Sequence, residues 1–143
     1  MSAGEDAAAL MRALQDLRIE FEIATDRIAK AAGLNPRDLA VLDVLHADGP
    51  ATPRVIATRT GIHPATLTAI LARLESAGHV SRTPHPDDAR SAQIAITPAT
   101  RNDLAARFTD IDQRLLERIA RLDHDEMVSA AIFLSDITLA LRS

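Results

Sequence analysis

Within TGIHPATLTAILARLESAGHVSR (Thr60–Arg82) the chain sets His63, Pro64, Ala65, Thr66, Thr68 and Ala69 close together, short or hydrogen-bonding residues on one arc of a helical repeat. Threonine hydroxyls can donate to or accept from base edges, and an alanine methyl can meet a thymine C5-methyl. Leu67, Ile70, Leu71 and Leu74 fall on the opposite arc, so the stretch reads as an amphipathic helix stopped by Gly78. Its plainest use is to cover a core with a solvated outer face. Its sharper use is as a recognition helix, because only the early turns of such a helix reach bases in a major groove. Arg73 lies one to two turns later, within reach of a phosphate or a distant base.

Other chemistry is thinly represented. The five histidines, His46, His63, His79, His85 and His124, are scattered, with no acid–histidine–nucleophile order and no glycine-rich phosphate loop. His85 in HPDD and His124 in DHDE stand beside aspartates as metal ligands would, but a turn tip and a helix boundary explain them more economically. The absence of cysteine excludes disulfides and thiolate metal sites. No enzyme, metal site or cofactor is expected.

Charge narrows the partners further. Sixteen basic residues against twenty acidic ones give a formal charge of -4, so no global field recruits a polyanion. Between Leu34 and Thr97 the balance is six against six, which makes the middle of the chain the least unfavourable place to meet phosphate. With no apolar run near membrane-spanning length and no cleavable leader pattern, the expectation is a cytoplasmic protein without a membrane partner.

The elements that must position the Thr60–Arg82 stretch follow from periodicity. Leu10, Met11, Leu14, Leu17, Phe21, Ala24, Ile28 and Ala31 mark a long first helix, ended by Gly33 and Pro36. A second helix over 37–46 buries Leu39, Val41, Leu42 and Leu45. Thr52 followed by Pro53 starts a short helix to about Thr60 with Val55, Ile56 and Ala57 inward, and Gly61 turns it into the next helix. Two helices joined through so short a glycine turn fit a helix-turn-helix. Thr52 and Arg54 at the start of the short helix, and Arg59 near its end, are candidates for backbone contacts that position a protein without reading sequence. HVSRT and AQIAIT then predict two antiparallel strands around PHPDDARS, with Ile94 and Ile96 on one face and Gln93 and Ala95 on the other. Helix-turn-helix plus ribbon is a winged helix. Thr97 and Pro98 start a further helix, and apolar seams at Leu104, Phe108, Ile111, Leu115, Ile119 and Leu122, then Met127, Ala130, Leu134, Ile137 and Leu141, predict two terminal helices. Three long stripes exceed what a lone winged helix needs, so the terminal helices are the expected dimer interface; packing on each other within one subunit is the alternative.

Asp88 and Arg90 stand two apart in the connection between the strands, where a carboxylate can orient a guanidinium toward a minor groove or phosphate, or simply keep a charged turn wet. The segment DARSAQIAIT (Asp88–Thr97), with LARLESAGHVSR (Leu71–Arg82) before it, resembles the MarR family of winged helix-turn-helix transcription regulators, and the terminal helices resemble that family's dimerisation region. The resemblance implies that Pro64 to Arg73 enters the major groove, that Arg82 begins the wing, and that Arg90 contacts the minor groove or its backbone with Asp88 bracing it. It also implies small, often aromatic effectors bound between dimer helices and winged domain, a pocket that Arg18, Phe21 and His46 would approach; the plainer reading makes Phe21 a core residue and the other two surface groups. Arg90 is the only positive residue between Pro84 and Ser91. Binding with so thin a wing leans on shape and salt.

The sequence thus predicts a mostly α fold with a small β-wing: a winged helix-turn-helix over residues 34–97, with N- and C-terminal dimerisation helices over 1–33 and 98–143. The expected partners are double-stranded DNA, a second copy of the chain and a small aromatic or amphipathic effector. The expected role is a repressor acting on inverted-repeat operators. A winged-helix protein-interaction module with weak or lost DNA binding is the alternative, favoured by the acidic total.

Overall fold

Ser2 sets the first helix, α1 (Ala3–Ala31): its hydroxyl accepts the Glu5 N–H while the Glu5 carboxylate accepts the Ser2 N–H, which satisfies two donors at the cap. The computed structural model describes residues 2–88 and 90–142. It continues with α2 (Pro36–Asp48), α3 (Pro53–Thr60), α4 (Pro64–Ser76), β1 (Val80–Pro84), β2 (Ala92–Ile96), α5 (Pro98–Ile119) and α6 (His124–Ala140). From α2 to α5 every helix begins on proline, whose missing N–H costs nothing in a first turn and whose fixed φ already suits a helix. Side chains complete the starts: Asn35 and Asp38 cap each other's backbone at α2, Thr52 accepts the Val55 N–H at α3, and Asp123 and Glu126 repeat the reciprocal arrangement at α6.

Gly78 ends α4 at φ +80°, a left-handed conformation that a side chain disfavours. Its N–H reaches the Glu75 carbonyl at 3.0 Å and the next N–H, from His79, reaches Leu74 at 2.9 Å, so the last carbonyls of the helix are satisfied as the chain turns into the wing.

The winged-helix core is built from Leu39, Val41, Leu42 and Leu45 of α2, Ile56 of α3, Leu67, Ile70, Leu71 and Leu74 of α4, and Val80, Ile94 and Ile96 of the ribbon. One expectation is overturned: Val55 is 54 % exposed. An eight-residue helix has room for one inward apolar position per turn, and Ile56 occupies it, leaving Val55 rotated by about 100° toward water. The ribbon is antiparallel, with Val80 opposite Ile96 and Arg82 opposite Ile94. Ala51 adds a one-residue bridge on the free side of β2, exchanging hydrogen bonds with Ile94 at 2.8 and 3.0 Å. That bridge ties the wing to the chain just ahead of α3.

The backbone divides into two compact units between Ala105 and Ala106, inside α5. The first contains the core just described; the second contains the rest of α5 and α6. Apolar surface remains open in both. On α1, Met11 is 66 % exposed, with Leu10, Leu17 and Phe21 also open, and only Ala29 of that helix is buried. No described residue of α6 is buried, although Ile132 and Leu139 each stand 65 % exposed. Among the described residues no helix is long and apolar enough to cross a membrane.

Candidate nucleic-acid interface

The turn between α3 and α4 holds itself. Thr60 donates its hydroxyl to the Ile56 carbonyl at 2.7 Å and accepts the Ile62 N–H at 3.3 Å, while Gly61, at φ +72°, donates to Ala57. His63 then caps α4 with an imidazole nitrogen, Nδ1 accepting the Ala65 N–H at 3.2 Å. With Nδ1 as acceptor, the neutral ring carries its proton on Nε2 and offers a donor outward.

Because α4 buries Leu67, Ile70, Leu71 and Leu74, the direction opposite the core falls on Ala65, Ala69 and Ala72, all exposed. The outermost line of the helix is therefore methyl groups, which allow close approach to a groove floor. Hydrogen-bonding residues stand on the flanks, Thr66 and Arg73 on one side, Pro64 and Thr68 on the other. The two threonines are not equivalent. Thr68 donates its hydroxyl to the Pro64 carbonyl at 3.0 Å, so only its lone pairs remain for a ligand. Thr66 is half-buried and shares a concavity of about 510 Å³ with Arg37, Ala40, Gly61 and His63.

Several of the arginines singled out from the sequence are paired. Arg59 Nε lies 3.2 Å from Asp48 and Arg82 Nε 3.5 Å from Glu75. Arg73 pairs with Asp38, which is 4 % exposed and whose other oxygen accepts the Asn35 N–H at 3.0 Å. One carboxylate thus caps α2 and anchors the last turn of α4, while 52 % of the Arg73 side chain stays in water. The capping spacing from Asn35 to Asp38 is visible in the sequence; the tie to Arg73, 35 positions away, has no local signal. Thr52 sits half-buried as the cap of α3. Arg54 is exposed beside a smaller concavity, about 320 Å³, with Pro53, Thr58, Pro64 and Thr68.

At the wing, Asp88 braces backbone and a neighbouring hydroxyl. Its carboxylate accepts the Arg90 N–H at 3.0 Å and the Ser91 hydroxyl at 3.3 Å, whereas the sequence suggested an Asp88 grip on the Arg90 guanidinium. The brace therefore fixes where the Arg90 side chain departs and leaves its charge unopposed by that contact; Ala89, between them, lies outside the described residues. His85 accepts the Asp87 N–H on Nδ1 at 3.0 Å, as a turn residue does. Among the described residues no group of three or more His, Asp or Glu side chains could hold a metal ion. The wing base is pinned by Thr97, whose hydroxyl donates to the Gly78 carbonyl at 2.8 Å, and by His79, whose Nδ1 meets the buried Thr100 hydroxyl at 2.9 Å. Sequence reasoning missed this His79–Thr100 contact across 21 positions.

The residues expected around an effector are all exposed. Arg18 pairs with Glu22 at 3.2 Å one turn along α1, Phe21 is open to solvent, and His46 lies in the last turn of α2. Among the described residues no hydrogen bond or ion pair joins them to one another. Near His46, desolvation pushes the Asp43 carboxyl above its ordinary value, with the histidine's charge pulling the other way.

This arrangement has close counterparts. The MarR family model matches residues 32–91, from the end of α1 to the wing. The HTH-type transcriptional regulator YcgE of Bacillus subtilis is 30 % identical over 121 residues, covering 85 % of this chain and 77 % of that protein. A MarR family protein from Bacillus stearothermophilus superposes over 100 % of both chains with a TM-score of 0.77 at 15 % identity. A mutant Escherichia coli MarR solved with operator DNA aligns over 96 % of this chain and 99 % of its own, with a TM-score of 0.59 at 19 % identity. With its helix-turn-helix, two-stranded wing and flanking helices in this order, the chain belongs to the MarR family of winged helix-turn-helix transcription regulators.

Proposed function

We propose that the chain acts as a homodimer that grips an inverted repeat in double-stranded DNA, represses the promoter this operator overlaps, and is released by a small aromatic or amphipathic effector. The observation that carries the reading is the exposed face of α4, alanine methyls along its crest and hydrogen-bonding side chains on its flanks, held by the Asp38–Arg73 pair against α2. In this reading residues 34–97 are the DNA-binding part, and residues 1–33 and 98–143 supply the dimer helices. His63 to Ala69 meet base edges, Thr52 and Arg54 meet the backbone, and Arg90 reaches the minor groove or its phosphates from the wing. Arg59, Arg73 and Arg82 share their guanidiniums with Asp48, Asp38 and Glu75 and contribute less.

Dimerisation is supported by the large apolar side chains that α1, α5 and α6 each leave in water, since clustered exposed apolar surface ordinarily marks a site of association. The operator complex of the related E. coli MarR supports the DNA partner. In effector release Arg18, Phe21 and His46 would approach the bound molecule, which must favour one dimer geometry over the other to shift anything.

Selection from a random duplex library, followed by binding of the recovered duplex and a scrambled control at several salt concentrations, tests the reading. A regulator recovers one consensus and loses affinity for both duplexes as salt rises. Recovery of no consensus, with salt-independent or absent binding, would leave a winged-helix module used for protein contacts.

A further inference from the structure

We infer that Arg37, at the start of α2 and outside both recognition helix and wing, contacts a DNA phosphate, and that Arg37 and Arg54 form backbone contacts on opposite flanks of α4. This rests on the DNA-binding reading above. Residues 34–97 carry as many acids as arginines. Where a polyanion can settle is therefore decided by which guanidiniums are left unneutralised.

Three of the six are paired, Arg59 with Asp48, Arg73 with Asp38 and Arg82 with Glu75. Among the described residues Arg37, Arg54 and Arg90 have no carboxylate at ion-pair distance. Asp38, next to Arg37 in the chain, is turned inward and committed to Arg73 and the Asn35 N–H, so it does not cancel Arg37. Arg90 shares its turn with Asp87 and Asp88. The least opposed positive charges of the winged helix are thus Arg37 and Arg54.

Both border the first half of α4. Arg37 lines the concavity that contains His63 and Thr66, and Arg54 lines the one that contains Pro64 and Thr68. At about 100° per residue, Thr66 and Thr68 lie on either side of the outward line through Ala65 and Ala69. A helix lying in a major groove about 12 Å wide has a phosphate backbone along each side. One unpaired guanidinium faces each wall, and its planar fork suits two phosphate oxygens at once. A paired arginine must first part from a carboxylate whose charge remains beside the DNA, so it neutralises less.

The test measures affinity against salt for the selected duplex and a scrambled one, using wild type, Arg37→Ala, Arg37→Lys, Arg54→Ala and the paired control Arg59→Ala. Each phosphate contact contributes about 0.9 to the slope of log affinity on log salt, so losing one per protomer flattens the slope of a bound dimer by about 1.8. Arg37→Ala and Arg54→Ala should each do so on both duplexes, and their deficit against wild type should shrink roughly 12-fold between about 50 and 200 mM salt. Arg37→Lys should restore most of the slope, and Arg59→Ala should change it less. Far-UV circular dichroism checks folding, and Arg37→Gln replaces Arg37→Ala if the alanine variant unfolds. An unchanged slope in the neutral Arg37 variant while Arg54→Ala flattens it overturns the inference and leaves the DNA-binding reading standing; a slope loss in Arg59→Ala as large as in Arg37→Ala overturns it too. A wild-type protein that binds neither duplex overturns both.

Discussion

Replacing Leu134 with aspartate asks whether the open side of α6 meets a second copy of the chain. Leu134 is 49 % exposed and borders a shallow concavity with Thr138 and Leu139. Complete burial of a leucine is worth about 1.5–3 kcal/mol, so the half still facing water would contribute about 1 kcal/mol when a partner covers it. An aspartate there must also shed water without a partner charge; taking only about 2 kcal/mol for that after relaxation gives a loss of roughly 3 kcal/mol per protomer. A two-fold interface counts it twice, so the dimer should weaken by about 6 kcal/mol, or on the order of 10⁴-fold in dissociation constant. The protomer itself should stay folded, because the substituted side chain is half in water already. Ile137, less exposed on the same helix, supplies the contrast: aspartate there should also lower protomer stability. Sedimentation equilibrium over a dilution series, with circular dichroism on the same samples, reads both effects. A folded Leu134→Asp protein with an unshifted dimer dissociation constant would refute the assignment of this face.

Three further outcomes follow from the first compact unit. Asp38→Ala should cost about 2–3 kcal/mol in urea unfolding at fixed protein concentration, through the lost cap and the charge-assisted bond, and about 1–2 kcal/mol less in an Arg73→Ala background; equal costs in both backgrounds would mean the pair does not couple. Asp43 binds its proton more tightly folded than unfolded because desolvation raises its pKa above 3.8, so wild type should lose stability relative to Asp43→Asn as pH rises through the interval above that value. The effect is small because the residue is partly open to water, and unfolding curves from about pH 3.5 to neutrality that keep a constant gap would contradict it. Thr66→Ala should change base preference at one position of each half-site by roughly 1–3 kcal/mol, whereas Arg90→Ala should weaken binding to every duplex; a uniform loss with Thr66→Ala would remove that hydroxyl from base readout.

How legible each feature was in the sequence depended on how local its cause is. Leu67, Ile70, Leu71 and Leu74 repeat at helical spacing, Pro53 and Pro64 mark helix starts, and Ile94 and Ile96 alternate, so the helix-turn-helix and wing could be read directly. Val55 could not be placed, because within so short a helix its neighbour Ile56 satisfies the same pattern. Thr66 and Thr68 look alike as letters, yet one is half-buried beside α2 and the other bonds back to Pro64. The Arg73–Asp38 pair, the Ala51 bridge to β2 and the His79–Thr100 contact join distant positions, and periodicity carries no trace of them. Arg37 was overlooked for the same reason: its freedom from an acidic partner becomes visible only once Asp38 is seen turned toward Arg73. The terminal apolar stripes were legible as stripes, and their exposure supplies the argument that something must cover them.

Footprinting the protein on the duplex recovered by selection, with binding stoichiometry measured on the same fragment, is the most direct measurement. A symmetric pair of reading heads should protect two half-sites in inverted orientation, centred about one helical turn or roughly 34–36 Å apart, with one copy of the chain on each. A single unsymmetrical protected segment bound by one copy, or protection no stronger than on scrambled DNA, would contradict a dimeric sequence-specific regulator.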